Sequence, residues 1–199
     1  MSRSKTISDG LLLDRLVAAV MTHGPSDLTF AKASEAAGLA AATLVQRFGA
    51  RERMVEAVLL RAWDQLDEAT AAADAGTSLD PAGAIELLLR LTNSGAAEYN
   101  FTDGLLLLRE DVRNPVLRAR GAEWGSRLAE ALGRRLSDDA EHATQLGWQM
   151  ASLWQGTLLW WAFRRDAEPG VNVRQALENW SRTVGVIWAR PMDSGALDK

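Results

Sequence analysis

The chain has 199 residues, 47% of them apolar and 24% charged, the balance of an ordinary globular protein rather than a disordered or fibrous one. It has no cysteine, which excludes disulfides and thiolate-ligated metal and fits a cytoplasmic protein. The net charge of −4 excludes a surface coated in nucleic acid, yet the charge is uneven: 8 Lys/Arg face 6 Asp/Glu through residue 62, and 14 face 20 beyond it.

The N-terminal Ser2-Arg3-Ser4-Lys5 is a short basic arm, either a reach toward phosphates or a disordered terminus. No apolar run follows it, so it does not read as a signal peptide. No stretch attains the length of a membrane span, because the apolar run near residue 160 is broken by Arg164-Arg165.

Periodicity predicts a first helix over 9–23, capped by Ser8, burying Leu12, Leu13, Leu16, Val17 and Val20 and stopped by Gly24-Pro25. The next stretch, 29–48, organises the rest. Thr29 is placed to cap a short helix with Phe30, Ala33 and Ala37 at helical spacing, and Gly38 supplies the sharp stop. A second short helix puts Leu44 and Phe48 inward and leaves Ala41, Ala42, Thr43, Gln46 and Arg47 on its other side. Two such helices joined at a glycine are either an ordinary αα-hairpin or a helix-turn-helix, in which the second helix enters the DNA major groove.

Arg51-Glu52 opens a long helix to about residue 75, with Val55, Val58, Leu59, Ala62, Trp63 and Leu66 on one side. Asp80-Pro81 and Asn114-Pro115 are cap-plus-proline starts, predicting helices over 81–93 and from 115 to about 136. Between them the spacing predicts a helix over 102–112, and Ser137-Asp138-Asp139 caps a long one over 139–165. A last helix is expected over 173–189. About nine helices and no strand pair make the chain all-α.

The 139–165 helix has two faces ill-suited to water. Leu146, Met150, Leu153, Trp154, Thr157 and Trp161 share one arc; Trp148, Ser152, Gln155, Gly156, Leu159 and Phe163 share the other. One face suits the subunit's own core. The other, with Trp180 and Val184 of the last helix, suits a second copy, and the sequence predicts a homodimer sealed by a four-helix bundle, against the plainer reading of monomeric core packing. Gly147, Gly156 and Gly185, each costing about 1 kcal/mol in a helix relative to Ala, fit close helix approach there. Of eight tryptophans, six follow residue 140. Large aromatics fill cores and also line hydrophobic pockets.

Catalysis has little to stand on. His23 and His142 lack metal-ligand spacing, Glu110 and Asp111 diverge on a helix, and there is no phosphate loop or nucleophile elbow. No enzyme activity, metal or cofactor is expected.

Leu16–Ala19, Gly24, Thr29–Gly38, Thr43-Leu44, Phe48, Arg51-Glu52 and Val55, in that order and spacing, resemble the N-terminal domain of the tetracycline-repressor (TetR) family of bacterial regulators. The resemblance covers about the first 60 residues. It implies a three-helix helix-turn-helix DNA-binding domain at 1–52 and a helical ligand-binding and dimerisation domain at 53–199. It implies a cytoplasmic homodimer that binds an operator and is released, as a repressor, by a hydrophobic small molecule. Carried over by position, Thr29 and Arg51 would hold phosphates while Ala41, Ala42, Thr43, Gln46 and Arg47 face the groove. Trp63, Phe101, Leu105, Arg109, Trp124, Met150, Leu153, Trp154 and Thr157 are the expected ligand contacts. Three positions depart from the family: Ala40 stands where Ser or Thr usually caps the reading helix, Val45 where Tyr offers a hydroxyl, and Ala33 where a bulkier aliphatic packs. They keep open a second reading, a small-molecule-binding dimer with a degenerate DNA-binding head.

Overall fold

A computed structural model of the chain describes residues 7–93 and 110–185. Among them it forms eight α-helices: α1 (Asp9–His23), α2 (Phe30–Ala37), α3 (Ala41–Phe48), α4 (Arg51–Ala75), α5 (Pro81–Asn93), α6 (Pro115–Gly133), α7 (Ala140–Arg164) and α8 (Pro169–Thr183). A single 3-10 turn, Pro25–Asp27, joins α1 to α2, and residues 110–113 are also helical. The fold is all-α, with an N-terminal helix-turn-helix bundle followed by a helical body.

The expected caps form. Ser8 Oγ accepts from Leu11 N, Thr29 Oγ1 from Lys32 N, and Asp80 Oδ1 from Gly83 N at 2.7 Å. Asn114 Oδ1 accepts from Val116 N and Leu117 N, and Asp139 Oδ1 from His142 N. Each satisfies amide groups that a helix start leaves without partners.

Three boundaries differ from the sequence expectation. The 115–136 helix ends at Gly133, where Arg134 is the C-cap and the next residues form a turn. The last helix starts at Pro169, four residues early, since proline is favoured in a first turn; it closes at Thr183 because Gly185 takes φ +73°. Gly185 is therefore a turn residue, not a point of helix contact. The remainder of the expected 173–189 helix, and most of the 102–112 helix, lie outside the described residues.

Two apolar clusters form the interior. The first joins Leu12, Leu16, Val20 and Leu28 to Ala33, Leu44, Met54 and Val58, and takes in Leu117 from the start of α6. The second joins Ile85, Leu88, Trp124, Leu128, Met150, Trp154, Val173 and Leu177. Trp63 packs on both. The 25 residues of α4 span about 37 Å at 1.5 Å per residue, enough to run through both clusters.

α4 and α6 are also bound by charge. Asp64 and Asp67 pair with Arg120, Asp67 with Arg127, and Asp74 with Arg134 and Arg135. The order of these pairs shows that the two helices run in the same direction. Burial pushes the Asp67 carboxyl up, but hydrogen bonds and charge from Arg120 and Arg127 outweigh it and hold the group below its ordinary range.

α6 and α7 approach closely where glycine removes a side chain. A Cβ on Gly147 would lie 2.0 Å from the Ala129 carbonyl oxygen, and one on Gly133 would lie 2.3 Å from that of Ala143. Gly147 thus serves packing within the subunit, correcting its expected role between subunits. No helix among the described residues is long and apolar enough to cross a membrane.

Candidate nucleic-acid interface and effector site

The helix-turn-helix is held by its own polar contacts as well as by its core. Gly38 closes α2 in the left-handed region at φ +69°, and Ser34 Oγ donates to the Leu39 carbonyl at 2.5 Å. Arg15 of α1 donates to the Ala37 carbonyl at 2.7 Å, satisfying a helix end and favoured there by the helix dipole. Leu44 has no accessible surface, so α3 is fixed with its opposite side outward.

On that side Ala42, Gln46 and Arg47 are exposed and Ala41 and Thr43 half-buried. Val45, where the resemblance leads one to expect tyrosine, is also exposed. Ala40 has extended backbone at the N-cap and makes no side-chain cap bond, so α3 begins without that support. Thr29 is exposed, and its hydroxyl oxygen accepts the Lys32 amide, leaving the hydroxyl proton to donate elsewhere.

The two arginines have partners that the sequence did not suggest. Arg51 is half-buried; its Nε donates to the Leu28 carbonyl at 2.9 Å, and its Nη2 to those of Pro25 and Ser26 at 2.8 Å each. It pins the start of α4 to the turn between α1 and α2. Arg47 Nη1 donates to Asp9 Oδ1 at 2.7 Å and Nη2 to the Ile7 carbonyl at 3.3 Å. No periodicity links residues that far apart in the chain.

In the body, Trp63, Trp124, Met150, Leu153 and Trp154 come together around one cluster. The Trp63 and Trp124 rings are 5.7 Å apart and inclined at 52°. Every indole in this group finds an acceptor: Trp124 donates to Thr70 Oγ1 at 3.0 Å, Trp154 to Thr92 Oγ1 at 2.9 Å, and Trp63 to Asp111 Oδ1 at 3.1 Å. Burial pushes the Asp111 carboxyl above its ordinary range; the Trp63 N–H draws it back in part, and the charge of Glu110 adds to the rise. The acceptor roles of Thr70, Thr92 and Asp111 escaped the sequence reading, although a buried indole requires an acceptor and so signals that one exists.

Thr157 is buried and donates to the Leu153 carbonyl at 2.7 Å. With Leu153, Gly156, Trp160 and Asn172 it lines a cleft of about 570 Å³ between α7 and α8. The expected ligand residues therefore divide between a close-packed aromatic group and this open cleft. Phe101, Leu105 and Arg109 lie outside the described residues.

The second face of α7 is open to solvent. Trp160 is 64% and Phe163 73% exposed, with Trp148, Ser152, Gln155 and Leu159 also exposed and Gly156 half-buried. A Cβ on Gly156 would meet nothing within 4 Å. Trp148 leans back on α6, its ring 3.0 Å from where a Gly125 Cβ would stand. Of the two expected residues near α8, Trp180 is half-buried against the body cluster, while Val184 is exposed just beyond the helix end.

No protein-family model and no curated protein matches the sequence. Solved structures do match the fold. A TetR transcription regulator from Haloarcula marismortui superposes with a TM-score of 0.69 at 16% identity, covering 89% of this chain and 98% of that one. A choline-bound candidate transcriptional regulator from Saccharomonospora viridis gives 0.68 at 15% identity, covering 86% and 94%. A TetR transcriptional regulator from Legionella pneumophila gives 0.67 at 18%, covering 89% and 99%. A helix-turn-helix at the head, a long α4 through both clusters and this likeness over most of the chain agree: the protein has the fold of the TetR-type regulators.

Proposed function

We propose that the protein is a ligand-responsive, DNA-binding transcriptional regulator, acting as a homodimeric repressor released from its operator by a hydrophobic small molecule. The observation that carries this reading is α3, anchored by a fully buried Leu44 while Ala42, Gln46 and Arg47 stay outside. A helix held this way presents its free side to a major groove, where Gln can pair with adenine and Arg with guanine. Two copies are needed to read half-sites one duplex turn apart. The open face of α7, with Trp148, Ser152, Gln155, Gly156, Leu159 and Phe163 and with Trp160 beside them, supplies the surface to join them.

The aromatic body supports a small-molecule effector, and one protein of this fold holds choline. Coupling to the head has a physical route: Asn114 Nδ2 donates to Glu56 Oε2 at 2.6 Å, and Leu117 of α6 packs in the head cluster. An effector that binds one α4–α6 arrangement more tightly than another would bias the spacing of the two heads. Titration of the protein with duplexes selected from a random pool, across salt concentrations, tests the DNA reading. Steep salt dependence and a preferred sequence are the expected result.

A second reading, an effector-binding dimer with a degenerate head, is favoured by three observations. α3 has no side-chain cap, Arg51 is spent on carbonyls and Arg47 on Asp9. Absence of any sequence-selective binding in the same titration would favour it over the first.

A further inference from the structure

Arg47 is the sole charged residue of α3, so any charge that the reading helix brings to a duplex is its own. Yet its guanidinium turns back to the chain's N-terminal segment, held by the Asp9 carboxylate and the Ile7 carbonyl. The arginine side chain is 28% exposed and that of Asp9 86%, so the pair sits at the surface and can open without disturbing the core. Asp9 is also the first residue of α1, where the helix dipole favours a carboxylate whether or not Arg47 stays.

Resting on the DNA-binding reading, we propose that Asp9 is a specificity-determining residue that competes with DNA phosphate for Arg47. On an unrelated sequence, Arg47 gains a phosphate oxygen only by leaving a carboxylate oxygen, one anion for another. That exchange returns little, and it strands the Asp9 charge on a face approaching a polyanion. An exposed ion pair resists opening by no more than about fivefold. A bidentate contact to guanine discriminates by about five- to 150-fold. The base edge therefore opens the pair and a stray phosphate does not, which withholds the one cation of α3 from sequence-independent binding.

The test uses the full chain as wild type, Asp9→Asn, Arg47→Ala and the double variant. Each is titrated against a duplex of unrelated sequence and against the duplex that wild type selects from a random pool, at several salt concentrations. Asp9→Asn is expected to bind the unrelated duplex about two- to fivefold more tightly. Its slope of log K against log salt should steepen by about 0.9, one added phosphate contact, and the ratio between the two duplexes should fall. In the Arg47→Ala background the Asp9 substitution should bring a smaller gain, the relief of the stranded charge alone, and no added phosphate contact. An equal gain in that background overturns the proposal, because Asp9 would then act only as a repelling charge. Weaker binding of the selected duplex by Asp9→Asn also overturns it, since the carboxylate would then be steadying Arg47 for the base. If wild type selects no duplex at all, the DNA reading itself fails, an outcome distinct from both.

Discussion

The guanidinium of Arg135, with no side-chain surface left to solvent, lies 2.7 Å from the Asp74 carboxylate. Its remaining donors serve the end of α4 and the loop beyond: the carbonyls of Asp74 and Ser78, and Thr77 Oγ1, besides the Ala131 carbonyl in the last turn of α6. A buried cation is acceptable here because every side of it is hydrogen-bonded. Asp74→Ala leaves that charge without a counter-ion and is expected to cost about 3 kcal/mol in denaturant unfolding. Arg135→Lys should not preserve stability, since one ammonium cannot reach acceptors spread around a planar fork. Unfolding curves of the two variants that match wild type would show the pair to be incidental.

Two carboxylates separate in their response to pH. Burial raises Asp74, but Arg135 and Arg134 outweigh it and hold the carboxyl below its ordinary value of 3.8, so its contribution is present above that value and lost as pH falls through the lowered one. Asp111 is raised, so its folded state binds the proton more readily, and stability declines as pH rises from 3.8 through the raised value. Asp111→Asn keeps an oxygen for the Trp63 N–H and removes the burdened charge. The variant is expected to melt higher than wild type at neutral pH and to lose this part of the pH slope. Equal melting temperatures at neutral pH would place the Asp111 carboxylate in full contact with water.

Gly147 and Gly156 sit nine residues apart on one helix and should answer oppositely to alanine. At Gly147 the new methyl meets the Ala129 carbonyl, and overpacking of this kind costs about 1–3 kcal/mol. At Gly156 it meets nothing within its own chain, so protomer stability should rise by about 1 kcal/mol. If that face joins two copies, the same methyl should weaken the dimer, as should Phe163→Glu and Trp160→Glu, and sedimentation at several concentrations would read it. A dimer indifferent to all three would place the interface elsewhere.

The missing cap on α3 is open to repair. Ala40 already has the extended backbone of an N-cap, with φ −65° and ψ 139°, and lacks only an oxygen. Ala40→Ser should raise the stability of the head by about 1 kcal/mol, seen as slower amide exchange through α3.

Arg51 answers to the same measurement. Removing a charged donor from three carbonyls should cost the head about 2 kcal/mol, so Arg51→Ala should speed exchange in α1 and α2 as well as weaken DNA binding. Weakened binding with unchanged exchange would assign Arg51 to phosphate alone.

Much of the architecture was legible from sequence because its signals are local. Ser8, Thr29, Asp80-Pro81, Asn114-Pro115 and Asp139 act on amides two or three residues away, so helix starts could be read from neighbours. Gly38 required only its own backbone freedom. The two arcs of α7 follow from a fixed turn per residue, and the arc holding Met150, Trp154 and Trp161 is the buried one. The last helix differs at both ends because Pro169 starts it and Gly185 stops it, whereas the apolar repeat alone spans 173–189.

The sequence by itself determined the all-α class, the order of helices, the glycine-joined pair at the head and which side of α3 faces out, since these depend on contacts within one or two turns. Only the tertiary structure decided what the charged and small residues are for. Arg47 meets Asp9, Arg51 meets the 25–28 turn, Arg135 meets Asp74, and Gly147 meets Ala129, each across a chain separation that no periodicity spans. A guanidinium reaches far enough to choose among many acceptors, and a glycine shows its purpose only through the atom that stands where its side chain would be.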